Sequence, residues 1–142
     1  MSFVNPSRER IKEILASAQN IAVVGLSNNP DRTSYMVSEA MQRKGYRIIP
    51  VNPQATMILG ETCYPSLSAV AEPIDIVNVF RRADQVLPIA EEAVAVGAQV
   101  LWLQLDIINE EAAQVALRGG LEVIMDRCIK VEEAILQPKR HL

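Results

Sequence analysis

The chain reads as an α/β protein: a Rossmann-like, doubly wound, five-stranded parallel sheet in a three-layer αβα arrangement. Three observations predict this. Short apolar runs alternate with amphipathic stretches five times along 142 residues, the pattern that yields parallel strands joined by right-handed crossovers. The strand runs are nearly all apolar, as strands covered on both faces are. The first run, Ile21-Ala22-Val23-Val24, is followed by Gly25 and by turn-forming Ser27-Asn28-Asn29-Pro30 before a new helix begins. That is the sequence form of a tight strand-to-helix turn.

Each element follows in order. Residues 7–18 predict a first helix, with Ser7 as cap and Ile11, Ile14, Leu15 and Ala18 on one face. Residues 21–26 are the first strand. Residues 33–44 form the next helix, capped by Thr33 or Ser34, with Met36, Val37, Ala40 and Met41 as its apolar stripe and Gly45 as its stop. The second strand covers 46–51 and runs into Pro50-Val51-Asn52-Pro53, whose prolines end regular pairing.

Residues 54–65 read as an irregular connection with a short extended piece at 58–60, and 66–70 as one helical turn. The third strand spans 74–80 and leads directly into Arg81-Arg82. A helix over 86–96 has Pro88 in its first turn and Gly97 as its stop. The fourth strand, 99–105, is almost wholly apolar and is expected at the centre of the sheet. Asn109 caps a helix that opens on Glu110 and Glu111 and ends at Gly119-Gly120. The fifth strand is 122–125, the last helix 128–136, and 138–142 a frayed tail.

Length and composition bound the protein further. A 142-residue chain that is 49% hydrophobic is expected to fold as one domain over residues 1–142, burying about 68–70% of its unfolded surface. A net charge of −3 gives no support for a nucleic-acid surface. No apolar run approaches the roughly 20 residues of a membrane span, and the polar residues Asn5, Arg8, Glu9 and Arg10 break any signal-peptide pattern. Two cysteines, Cys63 and Cys128, form neither a disulfide framework nor a metal spacing, so a reducing cytoplasm is the expected location.

In doubly wound sheets the ligand lies outside the carboxyl ends of the strands, where the strand order reverses. The segments expected at that rim are 25–32, 50–53, 80–82, 104–106 and 126–128. A helix that begins there aims free N–H groups and a positive partial charge at the crevice, a setting for phosphate. Arg32 and one of Arg81 and Arg82 would add charge. Being adjacent, the two arginines are not expected to face the crevice together, and Arg81 is the one expected to. Each of these residues has a plainer reading as a solvated charge or a turn former. Gln104 can mark a site or pair with buried backbone, and Trp102 reads as core.

The nucleotide class is narrowed by what is missing. A dinucleotide fingerprint wants G-x-G-x-x-G after the first strand and an acid after the second. Here Ser27 and Pro30 stand where the second and third glycines belong, and Asn52 stands where the acid belongs. NAD is disfavoured at independent positions. No Gly-Lys-Ser/Thr follows the first strand, so the P-loop pattern is absent as well.

A set of short motifs carries a resemblance. They are Val23-Val24-Gly25-Leu26-Ser27 with Pro30 and Arg32; Gly45-Tyr46 with Pro50-Val51-Asn52-Pro53; Ile58-Leu59-Gly60 with Tyr64-Pro65-Ser66-Leu67; Asp75-Ile76-Val77 with Phe80-Arg81-Arg82; Trp102-Leu103-Gln104; and Met125-Asp126-Arg127-Cys128. In this order, over about residues 11–136, the chain resembles the small stand-alone CoA-binding domain family. That family is similar to the CoA-binding domain of the succinyl-CoA synthetase alpha subunit. The resemblance implies a Rossmann-like fold that binds coenzyme A or an acyl-CoA. Its adenosine diphosphate part would lie over the turn at Gly25, Leu26, Ser27, Asn28, Pro30, Arg32, Thr33 and Ser34. Its pantetheine arm would run past Val51, Asn52, Pro53, Phe80 and Arg81, near Gln104. Thr33 departs from the proline often found after the arginine in the family.

The expected role is a binding module, as a monomer or homodimer with a possible protein partner in acyl-CoA metabolism, rather than an enzyme. His141 is the one histidine and lies in the tail, which leaves no Ser–His or Cys–His nucleophile pair in the body. Two other readings stay open at this point. One is an NAD-type oxidoreductase with a drifted fingerprint. The other is a redox partner of CoA acting through Cys128, a thiol at a helix start whose pKa such a position can lower.

Overall fold

The computed structural model describes residues 2–140. Its elements run α1 (Arg8–Ser17), β1 (Asn20–Val24), α2 (Thr33–Arg43), β2 (Arg47–Val51), β3 (Met57–Ile58), β4 (Glu61–Thr62), a 3-10 turn (Leu67–Ala69), β5 (Ile76–Val79), a second 3-10 turn (Ala83–Gln85), α3 (Val86–Ala95), β6 (Val100–Leu103), α4 (Glu110–Arg118), β7 (Glu122–Ile124) and α5 (Ile129–Leu136). Five strands form one sheet in the order β2-β1-β5-β6-β7, every neighbouring pair parallel. This is the expected doubly wound sheet.

Two cores lie on its two faces. Ala22, Val24, Val77, Val79, Leu101 and Leu103 pack with the alanines of α3 and α4 on one face. Ile21, Val23, Ile76, Trp102 and Ile124 pack with α1, α2 and α5 on the other. The alternation along each strand follows from side chains pointing to opposite faces.

Several expectations need correction. The middle strand is β5; β6 is interior but sits one place towards the edge. Pro50 lies inside β2, and pairing continues through it to Val51. The reason is geometric. β2 is an outer strand, and the N–H groups of Arg47 and Asn52 bond on opposite sides, to Gln19 and Tyr64. By that alternation the nitrogen of Pro50 faces away from β1, where no ladder bond is needed.

The connection read as irregular contains an antiparallel hairpin, β3 with β4, turned by Leu59 at φ 55° and Gly60 at φ 75°. In α2 the buried face is Ser34, Val37, Ser38 and Met41, while Met36 is 47% exposed. The cap residue of that helix is Arg32, and neither Thr33 nor Ser34 caps it. Ser7 and Asn109 do cap α1 and α4, accepting from Arg10 and Ala112. The tail expected to fray returns to the body: the Arg140 guanidinium lies 3.4 Å over the Tyr46 ring centroid. His141 falls outside the described residues.

Candidate binding cleft at the head of the first strand

The chain leaves β1 to build β2 on one side of it, then crosses to build β5 on the other. The strand order therefore reverses between β1 and β5, and a crevice opens above their carboxyl ends. An open cleft of about 900 Å³ occupies this place, lined by Gly25, Ser27, Asp31, Arg32, Thr33, Ser34, Phe80, Arg81, Arg82 and Gln85.

Its floor is a close approach of two backbones. The N–H of Phe80 donates to the carbonyl of Val24, and the N–H of Gly25 to that of Val51. Gly25 takes φ +86°, and a Cβ on it would collide with the carbonyl oxygen of Phe80. Glycine is therefore required here by the neighbouring strand, independently of any ligand.

The loop from 25 to 34 is held by its own short polar side chains. Ser27 N–H donates to Ser34 Oγ (2.9 Å), Asn29 N–H to Ser27 Oγ (3.0 Å) and Asp31 N–H to Asn29 Oδ1 (2.9 Å). These bonds bend the loop back to the start of α2. Among the described residues no acceptor meets the N–H groups of Thr33, Ser34 and Tyr35. Three orphan donors and the positive end of the α2 dipole thus face the cleft, a setting that favours an anion.

The guanidinium groups add to this field. Arg32 and Arg81 make no ion pair among the described residues, and Arg82 pairs only with Asp84, at 3.5 Å, with both side chains about three-quarters exposed. Adjacent Arg81 and Arg82 both border the cleft, contrary to expectation. The strand ends at Val79, so the strict alternation of a strand no longer governs them.

Of the residues expected at the site, Gly25, Ser27, Arg32, Thr33, Ser34, Phe80 and Arg81 line this cleft. Leu26 and Val51 are buried in the two cores. Asn28, Pro30 and Pro53 are exposed outside the lining. Asn52 bonds to backbone, donating to the Leu26 carbonyl (2.9 Å) and accepting from Gln54 N–H (2.8 Å). Gln104 is buried and accepts from the N–H of Ile129 at the start of α5 (3.0 Å). Trp102 is core and donates to the Arg127 carbonyl (2.9 Å).

Sequence reasoning missed Asp31, Arg82 and Gln85. Asp31 carried a signal, being charged and next to Arg32 in the loop. Gln85 carried none, because the 3-10 turn that presents it follows from packing.

Cys128 is half-buried against the α1/α2/α5 face and does not line the cleft. Cys63 donates to the Asn52 carbonyl at 3.3 Å, and burial pushes its thiol up. Both thiols are free. Among the described residues no cluster of side chains has metal-ligating character, and no helix is long and apolar enough to cross a membrane.

Comparison with known proteins fits this geometry. A family described as CoA binding domain matches residues 19–134. The chain is 54% identical over 131 residues to the uncharacterized protein YneT of Bacillus subtilis, covering 92% of this chain and 97% of that one. It superposes with a TM-score of 0.90 and 33% identity on a hypothetical protein from Pyrococcus horikoshii OT3, covering 96% of this chain and 99% of the other. It is also 23% identical over 119 residues to acetate–CoA ligase (ADP-forming) I of Archaeoglobus fulgidus, where it covers 77% of itself but only 17% of the ligase. With the family matched across most of its length and a relative this similar, the chain belongs to the CoA-binding domain family.

Proposed function

We propose that this protein binds coenzyme A or an acyl-CoA at the β1/β5 cleft, without itself performing chemistry on it. In this reading the pyrophosphate meets the N–H groups of Thr33, Ser34 and Tyr35, and Arg32, Arg81 and Arg82 surround the phosphates. The observation that carries the reading is the pairing of unpartnered donors with unpaired guanidinium groups at one rim. A ligand with several phosphates satisfies both sets at once, and a guanidinium fork matches phosphate geometry.

Position 52 supports CoA over NAD. The ribose-gripping acid of a dinucleotide site is replaced by an amide whose two ends are bound to backbone. Cys128, lying off the cleft lining, gives a redox reading no direct route to the ligand. Cytoplasmic location and a protein partner in acyl-CoA metabolism are consistent extensions of the proposal.

The test is a calorimetric titration with CoA, acetyl-CoA, NAD and ATP. CoA is expected to bind at least tenfold more tightly than NAD, and an Arg32→Ala/Arg81→Ala double variant to lose most of that affinity. Tight NAD binding with no response to CoA would overturn the proposal. So would CoA binding that the double variant leaves intact.

A further inference from the structure

We propose that Asn52 is a positioning residue that shapes the turn at the head of β1, and that a carboxylate at this position would spoil the phosphate site rather than convert it to a NAD site. The inference rests on the reading of the cleft as a CoA site and assigns its selectivity to a residue outside the cleft lining.

Asn52 follows β2 and is tied in four directions. Its Nδ2 donates to the carbonyl of Leu26 and its Oδ1 accepts from Gln54 N–H. Its own N–H donates to the Tyr64 carbonyl, and its carbonyl accepts from Cys63 Sγ. Leu26 lies between Gly25 and Ser27, which both line the cleft. One side chain thus fastens the turn that faces the phosphates to the segment that carries the β3–β4 hairpin.

The chemistry of the amide is specific. Only a group with a donor at one end and an acceptor at the other satisfies a carbonyl and an N–H together. Aspartate keeps the acceptor for Gln54 but has no proton for Leu26. Its second oxygen would then face the Leu26 carbonyl oxygen at the present 2.9 Å, and the two would repel. Turn and side chain would have to separate, moving Gly25 and Ser27 together with the donors beside them. Asn52 is therefore more than an acid that has drifted away, because the turn depends on its N–H.

A protonated aspartic acid can donate, and this makes the idea testable. The ionisable side chains next to position 52 are those of Cys63 and Tyr64, a thiol and a phenol, whose ordinary range is alkaline. An acid-range recovery in the variant would therefore report position 52 itself. CoA affinity is measured for wild type, Asn52→Asp and Asn52→Ala from about pH 8 to about pH 4.5, with the wild type correcting for the ligand's own titration.

At the alkaline end both variants are expected to bind about tenfold more weakly than wild type. Asn52→Asp should approach wild type as the pH falls, and Asn52→Ala should not. NAD affinity should not rise in Asn52→Asp. Should that variant unfold near pH 8, the acid dependence of its thermal midpoint reads the same bond and Asn52→Ala supplies the affinity loss.

Equal CoA binding by Asn52→Asp and wild type, a loss with no acid recovery, or a tenfold gain in NAD affinity would each overturn the inference alone. A wild type that ignores CoA would take down the reading of the cleft, and this inference with it.

Discussion

At the amino-terminal ends of the strands, arginines are bound to carboxylates. Arg47, at the start of β2, donates to Glu72 at 2.6 and 2.9 Å and reaches Glu61 at 3.4 Å. Arg10 on α1 bonds Glu122, at the start of β7, and Glu13. Even the backbone there meets an acid, since Asp75 accepts from Gln19 and Asn20. At the carboxyl ends, Arg32 and Arg81 have no such partner, and the α2 N–H groups beside them have none either. The same residue type closes one end of the sheet and leaves the other open. The first arrangement stabilises strand starts. The second leaves positive charge unneutralised at the one place where a doubly wound sheet has a crevice.

The largest expected effect comes from the floor of the open end. Gly25→Ala adds a Cβ against the Phe80 carbonyl and forces a side chain into positive φ. Such strain costs about 3 kcal/mol when both terms apply. Gly60→Ala also imposes positive φ but meets nothing within 4 Å, and should cost about 1 kcal/mol. Urea denaturation of both variants gives the comparison. Equal losses would mean that contact with Phe80 contributes little, and that ligand approach is the better reason for the glycine.

The next effect separates the two ends directly. Arg32→Ala and Arg81→Ala should each weaken CoA binding about tenfold while moving stability by less than about 0.5 kcal/mol. Arg47→Ala should do the reverse, losing up to about 1 kcal/mol of stability with CoA affinity unchanged. Calorimetry and denaturation on the same three proteins test it. If the cleft variants lose stability and keep affinity, the contrast between the ends is only one of exposure.

What was legible in the sequence follows the range of the interactions involved. Strand and helix identities came from local periodicity, and the cleft's place came from topology together with Gly25, Arg32 and Arg81. The β3–β4 hairpin was hidden because each strand has two residues and its turn uses a non-glycine, Leu59, in the left-handed region. Asn52 and Gln104 looked like ligand contacts because polar residues at strand ends are unusual. Their partners, Leu26 and Ile129, are 26 and 25 residues away, and no local pattern announces them. The same holds for Gly25. Its turn was visible, but the Phe80 carbonyl that makes glycine obligatory arrives from another strand.

The smallest expected effect lies at the closed end and depends on pH. Arg10 donates to Glu122 and holds its carboxyl below the ordinary value. A carboxyl whose folded pKa is depressed contributes stability above its unfolded pKa and loses it as the pH falls through the folded one. Both side chains of the pair are well exposed, 47% for Arg10 and 40% for Glu122, so water and salt screen it and the contribution is about 0.5 kcal/mol. Wild type and Glu122→Gln should therefore differ by that amount near neutral pH. The gap should close as the pH falls through the carboxyl range and shrink with added salt, with CoA affinity unmoved throughout. Urea midpoints at several pH values and two salt concentrations give the measurement. A gap several times larger that salt does not touch would show the pair acting as a buried clamp. A change in CoA affinity would show that the two ends of the sheet are coupled, and that the closed end also serves the open one.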